Sequence, residues 1–270
     1  MSDKETVIEL EHVFFAYQNH LILEDVSLKI QRGEFLAIIG PNGAGKTTLL
    51  KLMLGLLKSQ KGNIYLFGKP ISLWNKTKNR IGYVPQTAKI DTSFPINVKE
   101  FVMTGRYGML RGVARPRRRD WLIVEKVIEE IGIAKVAHRQ IGELSGGQMQ
   151  KMLIARALAG EPEVLILDEP MTAIDPESME GVYELLKKLH QQNFTIITVS
   201  HDVGVVAQYS DSIACVNRKV VKHGRPEEVL REEVLTAMYG KEVALFHHGP
   251  VPHIVVQAEP DSCFPKKRED

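Results

Sequence analysis

The chain has 270 residues, of which 44% are hydrophobic and 25% charged, close to the globular norm and enough for a substantial core in one large domain or two small ones. A formal net charge of +2 is too balanced to argue by itself for nucleic acid, and no apolar run approaches the ~18 residues of a membrane span, so any membrane role goes through a partner. Cys215 and Cys263 lie far apart, which gives neither a metal nor a disulfide framework and fits a reducing cytosol.

The charged start, Met1-Ser2-Asp3-Lys4-Glu5, leads into a strand pattern rather than an apolar signal region. Residues 7–15 and 21–30 read by alternation as strands of an antiparallel side sheet. Phe35-Leu36-Ala37-Ile38-Ile39 reads as a buried strand. Gly40-Pro41-Asn42-Gly43-Ala44-Gly45-Lys46-Thr47 follows, and then a helical pattern, Thr48-Leu49-Leu50-Lys51-Leu52-Met53-Leu54. The loop fits G-x-x-x-x-G-K-[ST] in the strand–loop–helix context that this phosphate-cradling motif requires. Its glycines let backbone N–H groups turn around a β-phosphate, and the helix N-terminus adds positive partial charge there. Lys46 is placed to reach the β- and γ-phosphates, and the Thr47 hydroxyl to take one Mg²⁺ position. The plainer reading is a glycine turn before an ordinary helix.

Strand patterns recur over residues 62–66, 80–84, 164–167, Thr195–Val199 and 212–216. Residues 88–160 hold helical patterns and a basic stretch (Arg111, Arg115, Arg117, Arg118, Arg119) without a strand, and read as a helical insertion. Inside it, Leu144-Ser145-Gly146-Gly147-Gln148 precedes Met149, Met152, Leu153 and Ala157, a helix stripe. Glycines and a hydroxyl at a helix start make a second anion site; Ser145 as a simple N-cap is the rival reading. Val164-Leu165-Ile166-Leu167-Asp168-Glu169 is an apolar run ending in two carboxylates, at the strand end that faces the ligand crevice of a parallel sheet. Asp168 is placed to hold Mg²⁺ through water and Glu169 to orient an attacking water, although a charged strand end can also simply cap a loop. The helix Pro176–Gln191 joins two apolar strands, a βαβ unit that implies a parallel core. No internal repeat is visible. After about residue 244 periodicity is lost, and the chain ends in Lys266-Lys267-Arg268-Glu269-Asp270, read as a loose tail.

Together these residues resemble the ATP-binding cassette ATPases, the nucleotide-binding subunits of ABC transporters, over about residues 6–240. Residues 40–47 match the Walker A motif, residues 144–148 the signature motif and residues 164–169 Walker B. Gln86 in Tyr83-Val84-Pro85-Gln86 matches the Q-loop, Asp175 the D-loop and His201 in Val199-Ser200-His201-Asp202 the switch histidine. Tyr17 matches the aromatic residue that stacks on adenine. Asp175 before Pro176 is also a good helix start, His201 could be a packed histidine, and Tyr17 could simply alternate on its strand.

The resemblance implies an α/β fold with a P-loop core, a parallel sheet, an antiparallel side sheet and a helical insertion. The core would comprise residues 1–87 and 161–243, the insertion 88–160 and the tail 244–270. It implies ATP and Mg²⁺ as cofactors. Glu169, His201, Lys46 and Gln86 would be catalytic. Tyr17, Gly40 to Thr47, Thr48, Ser145, Gly146, Gly147, Gln148 and Asp175 would contact nucleotide, and Thr47, Gln86 and Asp168 the metal. It further implies a homodimer that sandwiches ATP, an integral-membrane permease, an extracytoplasmic solute-binding protein and a place at the cytoplasmic face of the membrane. A soluble relative acting on nucleic acid would usually carry two cassettes or a long coiled coil, and neither is present, so no nucleic-acid partner is expected. The arginine run reads as a solvated or membrane-facing edge.

Phe94-Pro95-Ile96-Asn97-Val98 and Gly105-Arg106-Tyr107-Gly108 resemble the corresponding stretch in ATPases of zinc and manganese importers. Iron-chelate and cobalamin importers share part of it. Ordinary packing of the insertion is the alternative for Phe94 and Val98. His247, His248 and His253 lack a clear fourth ligand and read as a mobile tail or partner contact rather than a zinc site.

Overall fold

The computed structural model describes residues 5–71, 80–86, 90–110, 115–172, 174–241, 243–248 and 251–256. Two long strands, β1 (Thr6–Tyr17) and β2 (His20–Gln31), pair antiparallel. With β4 (Lys61–Leu66) and β5 (Lys69–Pro70) they form a four-stranded sheet in the order β2-β1-β4-β5.

The second sheet runs β10-β9-β3-β8-β7-β6. Its strands are β3 (Phe35–Ile39), β6 (Ile81–Val84), β7 (Val164–Asp168), β8 (Thr195–Val199), β9 (Ser212–Asn217) and β10 (Lys219–Gly224). β3, β6, β7, β8 and β9 are parallel, and β10 closes one edge antiparallel to β9. Every residue of β3, β7 and β8 is buried. Their mostly apolar runs reflect that, because both faces of a parallel sheet are covered.

Helix α1 (Lys46–Met53) lies between the two sheets; Leu49, Leu50, Leu52 and Met53 share one apolar cluster with Val7, Leu10, Ile38 and Ile166. On the opposite face pack α2 (Val98–Met103), α3 (Arg118–Ile131), α4 (Gly146–Ala159) and α5 (Pro176–Gln191). A third cluster joins α6 (Val203–Tyr209), α7 (Pro226–Val229) and α8 (Glu232–Tyr239) to β3 and β9.

The end of the chain differs from its sequence reading. Val243–His248 and Val251–Val256 pair as an antiparallel hairpin, β11 and β12, within the segment expected to be a loose tail. β12 lies against α6 and β11 against α8, so the periodicity that is too short to read alone is fixed by neighbours. Cys263, the terminal charges and Arg111 lie outside the described residues.

Candidate functional site

The parallel sheet sends four loops to one edge. The glycine loop follows β3, Gln86 follows β6, Asp168 and Glu169 end β7, and His201 follows β8. These are the carboxyl ends of the strands, where open α/β sheets bind ligands.

Gly45 precedes α1 with φ +94°, and a Cβ there would lie 2.8 Å from Leu23, so a side chain is excluded by both backbone and space. No side chain caps α1, and its first turn holds no acidic residue. Its N–H groups and partial positive charge are left for an anion. Lys46 Nζ donates to the carbonyls of Gly40 (2.8 Å) and Pro41 (2.9 Å). Burial pushes the Lys46 ammonium below its ordinary pKa, against the opposing charges of Glu169 and Asp168. Among the described residues this buried cation is hydrogen-bonded by neutral carbonyls alone, which fits a phosphate. Space is open above Gly43.

The Thr47 hydroxyl donates to Asp168 Oδ1 at 3.3 Å. Burial raises the Asp168 carboxyl above the usual range, the Thr47 hydrogen bond opposes this, and the Glu169 charge adds to it. A hydroxyl and a buried carboxylate are hard oxygen donors that fit Mg²⁺.

Glu169 takes φ +48°, a left-handed conformation uncommon for a residue with a side chain and frequent at functional sites. Its N–H donates to Val199 O at 3.1 Å, and Thr172 Oγ1 donates to its carbonyl at 3.1 Å. These bonds hold the turn. Gln86 Nε2 donates to Glu169 Oε2 at 2.5 Å, and His201 Nε2 lies 2.5 Å from Oε1. Three residues far apart in sequence thus meet on one carboxylate.

Tyr17 is exposed at the β1–β2 turn, edge-on to Phe15 with centroids 4.9 Å apart. The start of β2 touches the glycine loop through Ile22 and Leu23 at Gly45, so the tyrosine's hairpin borders the loop. Thr48 is buried one turn into α1.

Ser145 and Gln148 form a reciprocal cap on α4: Gln148 N–H donates to Ser145 Oγ at 3.3 Å, and Ser145 N–H to Gln148 Oε1 at 3.1 Å. Asp175 caps α5 by accepting from Ser178 N–H at 2.9 Å. A Cβ on Gly147 would lie 2.6 Å from that same Ser178, so the motif beginning α4 abuts the start of α5. Among the described residues, no hydrogen bond or ion pair joins Ser145, Gly146, Gly147 or Gln148 to the glycine loop.

Sequence reading gave no role to Tyr83 or Thr172. Tyr83 pairs with Ile166 across parallel strands, so its side chain shares a face with Asp168, two residues on. Burial, with the charge and hydrogen bonding of Asp168, pushes the Tyr83 phenol up to about 12. Strand parity could have flagged it only once β6 was known to neighbour β7. In the stretch from Phe94 to Gly108, Met103 is 1% exposed, whereas Phe94 (59%) and Tyr107 (54%) are open.

The family described as ABC transporter matches residues 23–172. The manganese transport system ATP-binding protein MntB of Listeria innocua is 40% identical over 242 residues, 90% of this chain and 100% of that protein. The zinc transport system ATP-binding protein TroB of Treponema pallidum is 37% identical, over 90% of this chain and 91% of its own. Among solved structures, a chain of an ABC transporter in an inward-facing conformation superposes with a TM-score of 0.81 at 28% identity, covering 94% of this chain and 98% of its own.

Proposed function

The chain belongs to the ABC transporter family, and we propose that it is the ATP-hydrolysing subunit of an importer carrying a divalent transition metal, zinc or manganese, through a separate membrane permease. The observation that carries the ATPase reading is the meeting of Gln86 and His201 on Glu169, beside the Thr47–Asp168 pair. The metal reading is supported by relatives named for manganese and zinc transport, an association rather than a ligand set.

Lys46 and the α1 N-terminus neutralise the phosphates of ATP, and Tyr17 stacks on its base. Glu169 orients water and takes its proton, while His201 and Gln86 fix the carboxylate's position. Mg²⁺, held by Thr47, Asp168 and Gln86, would supply further charge neutralisation when bound. Ser145, Gly146 and Gly147 cover the γ-phosphate held by a second copy, with Asp175 nearby. That arrangement suits a motif without bonds to its own chain's glycine loop. Residues 88–115 receive the permease, and an extracytoplasmic solute-binding protein delivers the cargo. The subunit then works at the cytoplasmic face.

Deleting the subunit should lower cellular zinc or manganese under scarcity, and supplying that metal should restore growth. Unchanged metal content with lost uptake of an iron chelate or cobalamin would move the cargo to that class and leave the ATPase intact.

A further inference from the structure

We propose that the arginine-rich start of α3 docks on anionic lipid headgroups beside the permease. Arg115, Arg117, Arg118 and Arg119 are exposed, and among the described residues none forms an ion pair. Three neighbouring cations are matched. Lys99 Nζ lies 2.5 Å from Glu125, Lys126 3.7 Å from Glu130, and Arg106 Nε 3.2 Å from Asp120. What sets this helix start apart is density: four exposed arginines without an ion pair among the described residues fall within residues 115–119.

An apolar residue accompanies it. Leu122 is 55% exposed and stands three and four residues after Arg119 and Arg118, on the same helix face. Trp121 is instead turned under Lys99, whose Nζ is 5.5 Å from its ring. An exposed leucine among unpaired arginines suits an interface that is anionic at its surface and apolar beneath.

A buried ion pair fixes where this face points. Asp120 accepts from Arg106 Nε at 3.2 Å and from Arg117 N–H at 2.8 Å. It thereby ties the arginine turn to the segment Thr104–Met109, on which Tyr107 and Met109 are exposed. That segment is the one proposed to receive the permease, so the arginines flank a membrane protein. This orientation rests on the importer reading; the lipid affinity does not.

Each arginine near an anionic surface is worth about fivefold in partition, and exposed charges lose this as salt shortens the screening length below ~10 Å. The test is sedimentation of the full chain with protein-free vesicles. One set is phosphatidylcholine alone, and the other contains about one-third phosphatidylglycerol. The chain should partition into the anionic vesicles at least about tenfold better, and high salt should abolish the difference. The R117Q/R118Q/R119Q variant should lose at least about tenfold, and Leu122→Ser a further few-fold, with ATP hydrolysis unchanged as the check on folding. Equal partition of wild type and triple variant into anionic vesicles overturns the proposal. Arginine-dependent binding to a single-stranded RNA, without vesicle preference, also overturns it and assigns the face to nucleic acid. The vesicles hold no permease, so their result stands apart from whether a permease co-purifies, which tests the importer reading.

Discussion

His201 Nε2 lies 2.5 Å from Glu169 Oε1, and the two side chains come from the ends of neighbouring parallel strands, β8 and β7. Gln86, from the far side of β7, holds the other carboxylate oxygen. The carboxylate is thus positioned from both flanks by strands that cannot shift without disturbing the core.

Glu169→Gln should bind ATP but hydrolyse it about 10²- to 10⁴-fold more slowly. The amide keeps the shape and accepts a proton poorly. Nucleotide retention and size-exclusion with ATP should show a trapped dimer. A variant that turns over at the wild-type rate rules out Glu169 as the base.

Lys46→Ala should lower hydrolysis about 100- to 1000-fold, because one phosphate-stabilising contact is worth ~2.7–4 kcal/mol in the transition state. Steady-state ATPase assays check this. Activity within about threefold of wild type would sink the assignment of Lys46.

Asp168→Asn should abolish hydrolysis yet raise the melting temperature of the protein without nucleotide. Burial raises the Asp168 carboxyl pKa in the fold. The native state therefore holds its proton over a pH range where the unfolded chain has lost it. The stability that Asp168 contributes is present below the ordinary carboxylate pKa and is lost as pH rises through the raised value. The variant's advantage should grow across that window and level off above it. Each kcal/mol corresponds to about 2–4 °C. Melting curves at several pH values decide it, and a lower melting temperature at neutral pH would contradict it.

Cysteines at Phe94 or Tyr107, both open to solvent, should crosslink to a cytoplasmic loop of the permease in the assembled complex. A cysteine at the buried Met103 should not. Crosslinking at Met103 alone would place the contact elsewhere.

Gly105→Ala should destabilise the fold by about 1–3 kcal/mol, as overpacking does. Its Cβ would lie 2.0 Å from the Arg156 carbonyl of α4, and a helix backbone cannot yield as a side chain can. Denaturant midpoints measure this, and an unchanged midpoint would show that the segment moves freely.

What the sequence determined by itself was local. The glycine loop, the carboxylates ending β7 and the Ser145 cap on α4 are set by neighbours within a few residues, and hydrophobic period is legible over such distances. The 244–256 segment was not, because short strands take their register from a partner. Only the tertiary structure decided that Gln86, Glu169 and His201 share one carboxylate and that Tyr83 faces Asp168. It also buried Met103 while leaving Tyr107 open. Those facts depend on which strand lies beside which and on the parity of each residue in its strand, and parity has no meaning until the sheet order is known.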